Sequence, residues 1–354
     1  MLKEIEILFR KMIFHLLIAV SKRKRNANVP DFSKIKNVAF IRLNRIGDAL
    51  VTTPIFSVLK KKYNFSITVV ADKKNAFVFR NNPHIDNIIV FKKGFAGLKD
   101  VLKELNKMDI VVDLHDDVST TVSYLVAFCK VPYKFALEKE NYKLFSSTIT
   151  KKDASVSHVI DRVSSILQLF SITEFQKLNV EFYPSDAAKE NINNLVKKLN
   201  PDKRFFIGFN ISAGSDARFW GVDRFRKLIS LVKEKYPDIY TLVLSAPGDI
   251  DKAKDISTGL AEHYCSQSFE EFAVIISHLD LLFTPDTSTV HLASSAKIPM
   301  FGLYVKFNTT NQIWYPYCSE YEAIITEEPN FEKLDVEQVA PKFLKFLEKI
   351  YNGK

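Results

Sequence analysis

The sequence predicts an α/β protein built on open, doubly wound sheets, with a length that allows two domains, and three observations indicate this class. Apolar runs typical of buried parallel strands are each followed by small or polar residues and then by a helical pattern. This strand–turn–helix unit recurs along the chain without an internal repeat or a low-complexity tract. A length of 354 residues is enough for two domains of ordinary size.

Residues 1–30 stand apart from the globular region. Ile5 to Val20 carry an apolar stripe at helical i, i+3, i+4, i+7 spacing, and the basic cluster Lys22–Arg25 follows. The apolar stretch Met12–Val20 is too short to span a bilayer, and a signal peptide places its charge before the apolar core. Two interpretations stay open: an amphipathic helix lying on an anionic membrane surface, or a helix that docks on the protein's own body.

The charge distribution argues against a nucleic-acid partner. Residues 1–25 hold seven basic and two acidic side chains, so they supply +5 of the formal net charge of +9. The remaining 329 residues are close to neutral for their length, and no aromatic–basic interleaving is present. The three cysteines Cys129, Cys265 and Cys318 are widely spaced and odd in number, which favours a reducing compartment. Neither cysteines nor histidines show metal-ligand spacing, so we predict no metal and no cofactor.

The first candidate site follows the apolar run Val38–Leu43. Arg45, Gly47 and Asp48 come directly after it, and a helical pattern then continues to Lys62. Ligands of open α/β sheets bind beyond the carboxyl ends of the strands. Gly47 permits close approach of a ligand or an unusual backbone angle. Asp48 has two interpretations at this point, a helix N-cap or a functional carboxylate.

A second strand of the same domain ends in polar residues. Asp113 and His115 follow the apolar run 110–112 and are predicted at the carboxyl edge of the sheet, facing a cleft. For His115 we weigh a contact to the acceptor or an acid–base role against a hydrogen-bonded structural histidine.

The second domain begins with a strand at 205–211 and a turn of small residues. Such a turn lets the main chain approach a diphosphate closely, and Arg218 offers a forked, permanently charged donor to phosphate oxygens. The turn residues are Ser212, Ala213, Gly214 and Ser215.

Two further strand ends complete the predicted donor site. Asp249 follows the strand 241–244 and is a candidate for ribose hydroxyls or for a helix N-cap; Phe269 is predicted to flank the base. After the strand 281–285, a helix start rich in hydroxyl groups offers backbone N–H groups and a favourable dipole to phosphate. The residues of this last segment are Asp286, Thr287, Ser288, Thr289 and His291.

Together these motifs resemble glycosyltransferase family 9, the bacterial ADP-heptose:lipopolysaccharide heptosyltransferases. The resemblance covers about residues 36–330. Its motifs stand in the expected order: Ile41–Leu43 with Arg45–Asp48, Asn82–Asp86, Ser212–Ser215 with Arg218–Trp220, and Pro285–Thr287 with His291–Ala293.

The resemblance implies a GT-B fold, with two Rossmann-like domains facing a central cleft. We expect an N-terminal helix and linker at 1–30, an acceptor-binding domain at 31–200, a donor-binding domain at 201–330 and a C-terminal helix at 331–354 that packs back towards the first domain. Asp48 is implied as general base, and the acceptor side is expected to include Arg45, Gly47, Asp113 and His115. Arg218 and the two turns would hold the diphosphate without a metal.

The implied reaction is an inverting transfer of heptose from ADP-heptose to a lipid-linked lipopolysaccharide inner-core acceptor. It would take place at the cytoplasmic face of the membrane, to which the enzyme binds peripherally. The alternatives are a glycosyltransferase of the same family with another nucleotide-sugar or acceptor, and a non-catalytic membrane-associated protein that keeps the fold.

The sequence departs from the family pattern at two positions. Ser288 stands where glycine is usual, and Gly221 follows Trp220 where proline is usual.

Overall fold

The computed structural model describes residues 12–13, 16–19, 21, 29–175 and 178–354. Contacts divide the chain into two compact units, Met1–Glu181 and Phe182–Lys354. The sequence analysis placed this division after residue 200. In the structure it comes one helix earlier, because helix Asp186–Leu199 packs on Phe269–Ser277 of the second unit.

The described part of the first unit contains one six-stranded parallel sheet with the order β3-β2-β1-β4-β5-β6. Counted along the chain, this is the 3-2-1-4-5-6 order of the Rossmann fold, and it reverses direction between β1 and β4. Its strands are β1 (Asn37–Arg42), β2 (Ser66–Asp72), β3 (Asn87–Phe91), β4 (Ile110–Asp113), β5 (Tyr133–Leu137) and β6 (Ser147–Ile149).

The second unit, as far as the structure describes it, repeats this topology. Its six parallel strands have the order β12-β11-β10-β7-β8-β9, so the reversal lies between β7 and β10. The predicted α/β fold with two Rossmann-like domains is confirmed. The strands are β7 (Phe206–Asn210), β8 (Tyr240–Ser245), β9 (Glu262–Cys265), β10 (Leu281–Pro285), β11 (Met300–Val305) and β12 (Tyr321–Thr326).

Crossover connections join the parallel strands, and most of these connections contain helices. The first unit has α1 (Ile46–Leu50), α2 (Pro54–Lys62), α3 (Phe95–Leu105), α4 (Thr120–Phe128) and α5 (Val159–Ser164). The second has α6 (Asp186–Leu199), α7 (Val222–Lys235), α8 (Ile250–Ser257), α9 (Phe269–Ser277), α10 (Thr289–Ala296) and α11 (Val336–Asn352). Short 3₁₀ helices lie at Ala76–Phe79, Tyr142–Leu144, Ser165–Phe170, Asp216–Arg218 and Pro247–Asp249.

The central strands are buried because helices cover both faces of each sheet. Strands β7 and β10 are buried at every position, which is why they read as uninterrupted apolar runs. In the second unit Phe283 stacks on Phe301 at a centroid distance of 5.6 Å, and Phe343 of α11 meets Phe283 edge-on at 5.2 Å. The apolar face of α11 therefore belongs to the core of the second unit. Its predicted contact with the first domain stays a prediction.

Part of the N-terminal stripe docks on the first unit. Leu17 is 3% exposed within the core of that unit, and Ile13 and Ile18 pack against the same cluster. Met12 and Leu16 are 60% and 64% exposed. The basic cluster 22–25 and residues 1–11 lie outside the described residues. No helix formed by the described residues combines the length and apolar composition that crossing a bilayer requires.

Candidate active site

The predicted site residues of each domain cluster at the point where its strand order reverses. In the first unit Asp48 follows β1, Asp113 ends β4, and His115 comes two residues later. In the second unit Ser212 to Arg218 follow β7, and Asp286 to Thr289 follow β10. This position is where doubly wound sheets bind ligands.

Asp48 lies in the first turn of α1, but it does not cap this helix. Arg45, an exposed residue with extended backbone, is the N-cap residue and makes no side-chain cap. The Asp48 carboxylate instead meets the buried guanidinium of Arg42, with 3.2 Å between Nη2 and Oδ1. The N-cap interpretation of Asp48 is therefore wrong. Gly47 is helical, and the positive-φ glycines are found elsewhere, so no unusual angle is needed there.

The loop that carries Asp48 is fixed from two sides. The backbone N–H of Leu43 donates to Nε2 of His115 at 3.1 Å. The side-chain amide of Asn75 donates to the carbonyl oxygens of Arg42 and Asn44, at 3.1 and 2.7 Å. Both contacts join residues far apart in the chain, and they make the turn after β1 a rigid support.

Asp113 and His115 are buried behind this loop, at 0% and 1% exposure. The Nδ1 atom of His115 lies 2.6 Å from Oδ1 of Asp113, and Lys139 donates to Oδ2 of the same carboxylate at 2.7 Å. Both ring nitrogens of His115 thus have protein partners, as do both oxygens of Asp113. The burial of both side chains favours the structural interpretation of His115. A contact of either residue with the acceptor stays a prediction.

The electrostatics of this cluster follow from burial and pairing. Burial alone would raise the pKa of Asp113, but the charges and hydrogen bonds of Lys139 and His115 outweigh it and hold that pKa well below its usual range. Burial lowers the pKa of His115, and the Asp113 carboxylate offsets this only in part. His115 is therefore a neutral ring at physiological pH, with Nδ1–H donating to Asp113.

In the second unit, the turn after β7 is joined to the turn after β8. The hydroxyl of Ser212 donates to Oδ2 of Asp249 at 2.7 Å and accepts from the backbone N–H of Ala246 at 2.8 Å. Lys252 donates to Oδ1 of Asp249 at 3.0 Å. Asp249 is the N-cap residue of α8, but its side chain makes no cap hydrogen bond. It is half-buried beside the 212–215 turn, as a ribose-contacting residue needs to be.

Arg218 and Asp286 join the turns after β7 and β10. Arg218 donates from Nη1 to the carbonyl oxygen of Asp286 at 3.0 Å, and its Nη2 lies 3.3 Å from Oδ2. Burial raises the pKa of Asp286, and the Arg218 charge opposes this. Ala213 is half-buried, while Gly214 and Ser215 are exposed, so their main chain is open to a ligand.

Helix α10 begins beside this pair. Ser288 is its N-cap residue with φ −57° and no side-chain cap, so serine meets no strain where the family has glycine. The backbone N–H of Thr289 donates to the hydroxyl of Thr287 at 3.2 Å. His291 lies on the buried face of α10, at 2% exposure and 5.8 Å from the Trp314 ring. It is therefore placed to support the helix start from behind.

Phe269, the predicted neighbour of the base, opens α9. It is half-buried and packs edge-on against Phe182 at 5.6 Å.

Asn210 is a central residue that the sequence analysis missed. Its side chain is 1% exposed, and its amide donates to the carbonyl oxygen of Ser212 at 3.1 Å and to the hydroxyls of Thr284 and Thr289 at 2.9 and 3.3 Å. One side chain thus ties both turns of the candidate donor site. The available signal was a polar residue at the last position of a buried strand.

A cavity of about 800 Å³ lies at the carboxyl ends of β11 and β12. It combines hydrogen-bonding groups and a half-exposed aromatic ring, a mixture common in ligand sites. Its lining residues are Lys306, Phe307, Asn308, Thr309, Thr310 and Glu327.

The described residues contain no group of three or more histidine, cysteine or carboxylate side chains arranged to hold a metal ion. Metal independence remains a prediction.

The fold and the two strand-end sites define a GT-B glycosyltransferase. A family model described as glycosyltransferase family 9 (heptosyltransferase) matches residues 98–343. The chain belongs to glycosyltransferase family 9 and is an enzyme of that family.

Comparisons with individual proteins agree with this assignment. The chain is 23% identical over 293 residues to lipopolysaccharide heptosyltransferase 3 of Escherichia coli (strain K12), covering 77% of this chain and 82% of the relative. It resembles a solved glycosyl transferase family 9 structure from Veillonella parvula DSM 2008, with a TM-score of 0.76, 22% identity and coverage of 89% and 97% of the two chains. It also resembles E. coli heptosyltransferase WaaC solved with ADP, with a TM-score of 0.67, 16% identity and coverage of 89% and 99%.

Proposed function

We propose that the enzyme transfers heptose from ADP-heptose to a hydroxyl of a lipid-linked lipopolysaccharide inner-core acceptor. The observation that carries this proposal is the strand-order reversal of the second sheet. There a small-residue turn, an arginine and a helix start come together. A relative with the same fold was solved with ADP, which supports an adenine nucleotide as the donor.

The diphosphate would lie against the turn after β7 and the start of α10. The backbone N–H groups at 213–215 and 287–289 offer neutral donors, and the helix dipole favours the negative charge. Arg218 retains donors beyond the two that reach Asp286. Such preorganised donors stabilise the charge that grows on the departing diphosphate.

The ribose would bind at Asp249. Its two oxygens already accept from Ser212 and Lys252, yet a carboxylate has about four lone-pair sites, so hydroxyl donors can still be accommodated.

Asp48 would act as the general base. The acceptor hydroxyl gives its proton to the carboxylate while its oxygen attacks the anomeric carbon, and the bond to the diphosphate oxygen breaks with its electron pair leaving on ADP. A single displacement of this kind inverts the anomeric configuration. Assistance by a positioned base typically contributes about 10²–10⁴-fold.

Two measurements test the proposal. In a thermal-shift screen with ADP, GDP and UDP, we expect ADP to stabilise the protein most; ligand at about 100 times its dissociation constant adds about 2.7 kcal/mol. Preferential stabilisation by UDP or GDP would overturn the proposal that ADP-heptose is the donor. It would favour a glycosyltransferase of the same family that uses another nucleotide-sugar.

The second measurement is sugar transfer from ADP-heptose to isolated inner-core acceptor. We expect Asp48→Asn to lower turnover about 10²–10⁴-fold and to keep ADP binding. Asp72→Asn changes a residue at the end of β2, away from the reversal point between β1 and β4, and it should keep both sugar transfer and ADP binding. Full turnover by Asp48→Asn would defeat the base assignment.

Peripheral attachment to the cytoplasmic face of the membrane completes the proposal. It is supported by the exposed Met12 and Leu16 and by the basic run that follows them in the sequence.

A further inference from the structure

Arg42 is the last residue of β1, and its guanidinium is completely buried. Burying a charge is expensive unless it is paired and all its donors are satisfied. An arginine at this position therefore needs a reason beyond filling space, and its hydrogen bonds indicate one.

The donors of Arg42 converge on the loop that carries Asp48. The Nε atom donates to the carbonyl oxygen of Asp48 at 2.9 Å, and Nη2 donates to its Oδ1 at 3.2 Å. The Nη1 atom donates to the carbonyl oxygen of Leu114 at 2.6 Å. One planar group thus holds both the backbone and the carboxylate of Asp48 and anchors them to the end of β4.

The charged groups around Arg42 are otherwise paired. On the β4 side, Asp113 is held by Lys139 and by the neutral ring of His115. Asp116 is held by Arg162 and Lys151.

Burial lowers the pKa of Arg42, and the negative charge of the exposed Asp117 opposes this. Arg45 is exposed at the start of α1. Among the described carboxylates, Asp48 is the one that forms an ion pair with Arg42.

The two carboxylate oxygens of Asp48 have different surroundings. Oδ1 is fixed by Arg42, and the side chain is 17% exposed, so a polar edge remains open. A base must be held within hydrogen-bonding distance of the proton that it removes. Because Arg42 fixes both the helix start and the carboxylate, it determines where Oδ2 points.

We propose that Arg42 is the positioning residue of Asp48, acting on the transfer step through that carboxylate without touching substrate. The inference rests on the proposed function, in which Asp48 is the base.

The experiment measures turnover, donor KM and urea midpoints for Arg42→Gln, Arg42→Lys, Asp48→Asn and the double variant Arg42→Gln/Asp48→Asn. For Arg42→Gln we expect kcat to fall about 10²-fold with donor KM changed less than about twofold, since the donor lies on the other domain. Arg42→Lys keeps the charge but loses the fork, and it should recover part of the loss.

The decisive readout is the double-mutant cycle. If Arg42 acts through Asp48, the double variant loses no more turnover than Asp48→Asn alone. Its urea midpoint should also fall less than the sum of the two single changes, because the double variant leaves no buried Arg42 charge without its Asp48 partner.

Arg162→Gln is the matched control. Arg162 is also a buried arginine of the first domain, and it pairs with Asp116 at 3.0 Å. The Arg162→Gln variant should have a lower urea midpoint, while its kcat stays within about threefold of the wild-type value.

Additive effects in both cycles, or an equal loss of kcat in Arg162→Gln, would overturn the inference. Full activity of Asp48→Asn would instead defeat the proposed base. If the wild-type enzyme shows no sugar transfer in the assay, the urea midpoints of the single and double variants still test the coupling of Arg42 to Asp48.

Discussion

Arg218 holds Asp286 at two points, its carbonyl oxygen and its carboxylate, although the two residues lie on different turns of the second sheet. The pair closes the space between the ends of β7 and β10. It also places a permanent positive charge beside the start of α10, where a diphosphate is proposed to bind.

Replacing Arg218 by alanine should weaken ADP binding about 10–100-fold, because a hydrogen bond to a charged group contributes about 1.5–3 kcal/mol. Isothermal titration calorimetry with ADP measures the change. Arg226→Ala is the control, since Arg226 donates to carbonyl oxygens at the end of α8, including those of Asp255 and Thr258. Unchanged affinity in Arg218→Ala would remove this residue from the donor site.

The buried His115 should make the first domain sensitive to acid. Burial lowers the pKa of this ring in the folded state below the value of about 6.5 expected in the unfolded chain. As pH falls below about 6.5, the unfolded chain gains a proton that the folded chain does not. Stability then declines by at most about 1.4 kcal/mol per pH unit.

Urea unfolding between pH 7.5 and 5 measures this slope, and His115→Gln should flatten it. A slope that persists in this variant would place the titrating group elsewhere. At lower pH a separate loss is expected, because Asp113 has a folded pKa below that of the unfolded chain and must be protonated on unfolding.

Gly221 should not tolerate the proline that is usual in the family. It is the N-cap residue of α7 with φ +106°, and proline is confined near −65°. We expect Gly221→Pro to lower the free energy of unfolding by at least about 1–3 kcal/mol. Gly248→Ala is the control, because a Cβ there meets nothing within 4 Å and the backbone has no positive φ. Equal stability of the two variants would contradict the strain argument.

Local patterns predicted most of the fold and the positions of the turns that form the candidate donor site. Apolar runs ending in small or polar residues marked β1, β7 and β10, because parallel strands are buried on both faces and ligands meet their carboxyl ends. The serine at position 288 causes no backbone strain, since its φ of −57° suits any residue.

Contacts between distant residues were not predictable. Arg42 meets Leu114 and Asn210 meets Thr284 across more than seventy positions, and periodicity carries no information on such pairs. The sequence pattern likewise carries no sign of the partners of Asp113 and His115. The structure shows that Lys139 donates to Asp113 and that the Leu43 N–H donates to His115.

Asn210 should couple the two donor-side turns. In Asn210→Asp an acceptor replaces the amide that donates to Ser212 and Thr284, so we expect about 1–3 kcal/mol of lost stability. ADP affinity should fall as well. The control is Asn200→Asp, which breaks a similar buried bond, to the carbonyl oxygen of Arg204, outside the site. It should lose stability but keep ADP affinity; equal losses of affinity would make Asn210 a purely structural residue.

The N-terminal stripe has two faces, and they should respond differently to substitution. Leu17 is buried in the first domain, so Leu17→Ala should lower the free energy of unfolding by about 2–5 kcal/mol at most, the range for core leucines. Met12 and Leu16 are exposed, so Met12→Ser/Leu16→Ser should leave the urea midpoint unchanged. If the exposed face lies on the membrane, the same double variant should bind vesicles containing anionic lipids several-fold more weakly in sedimentation. Equal vesicle binding by wild type and double variant would leave docking on the protein body as the role of the stripe.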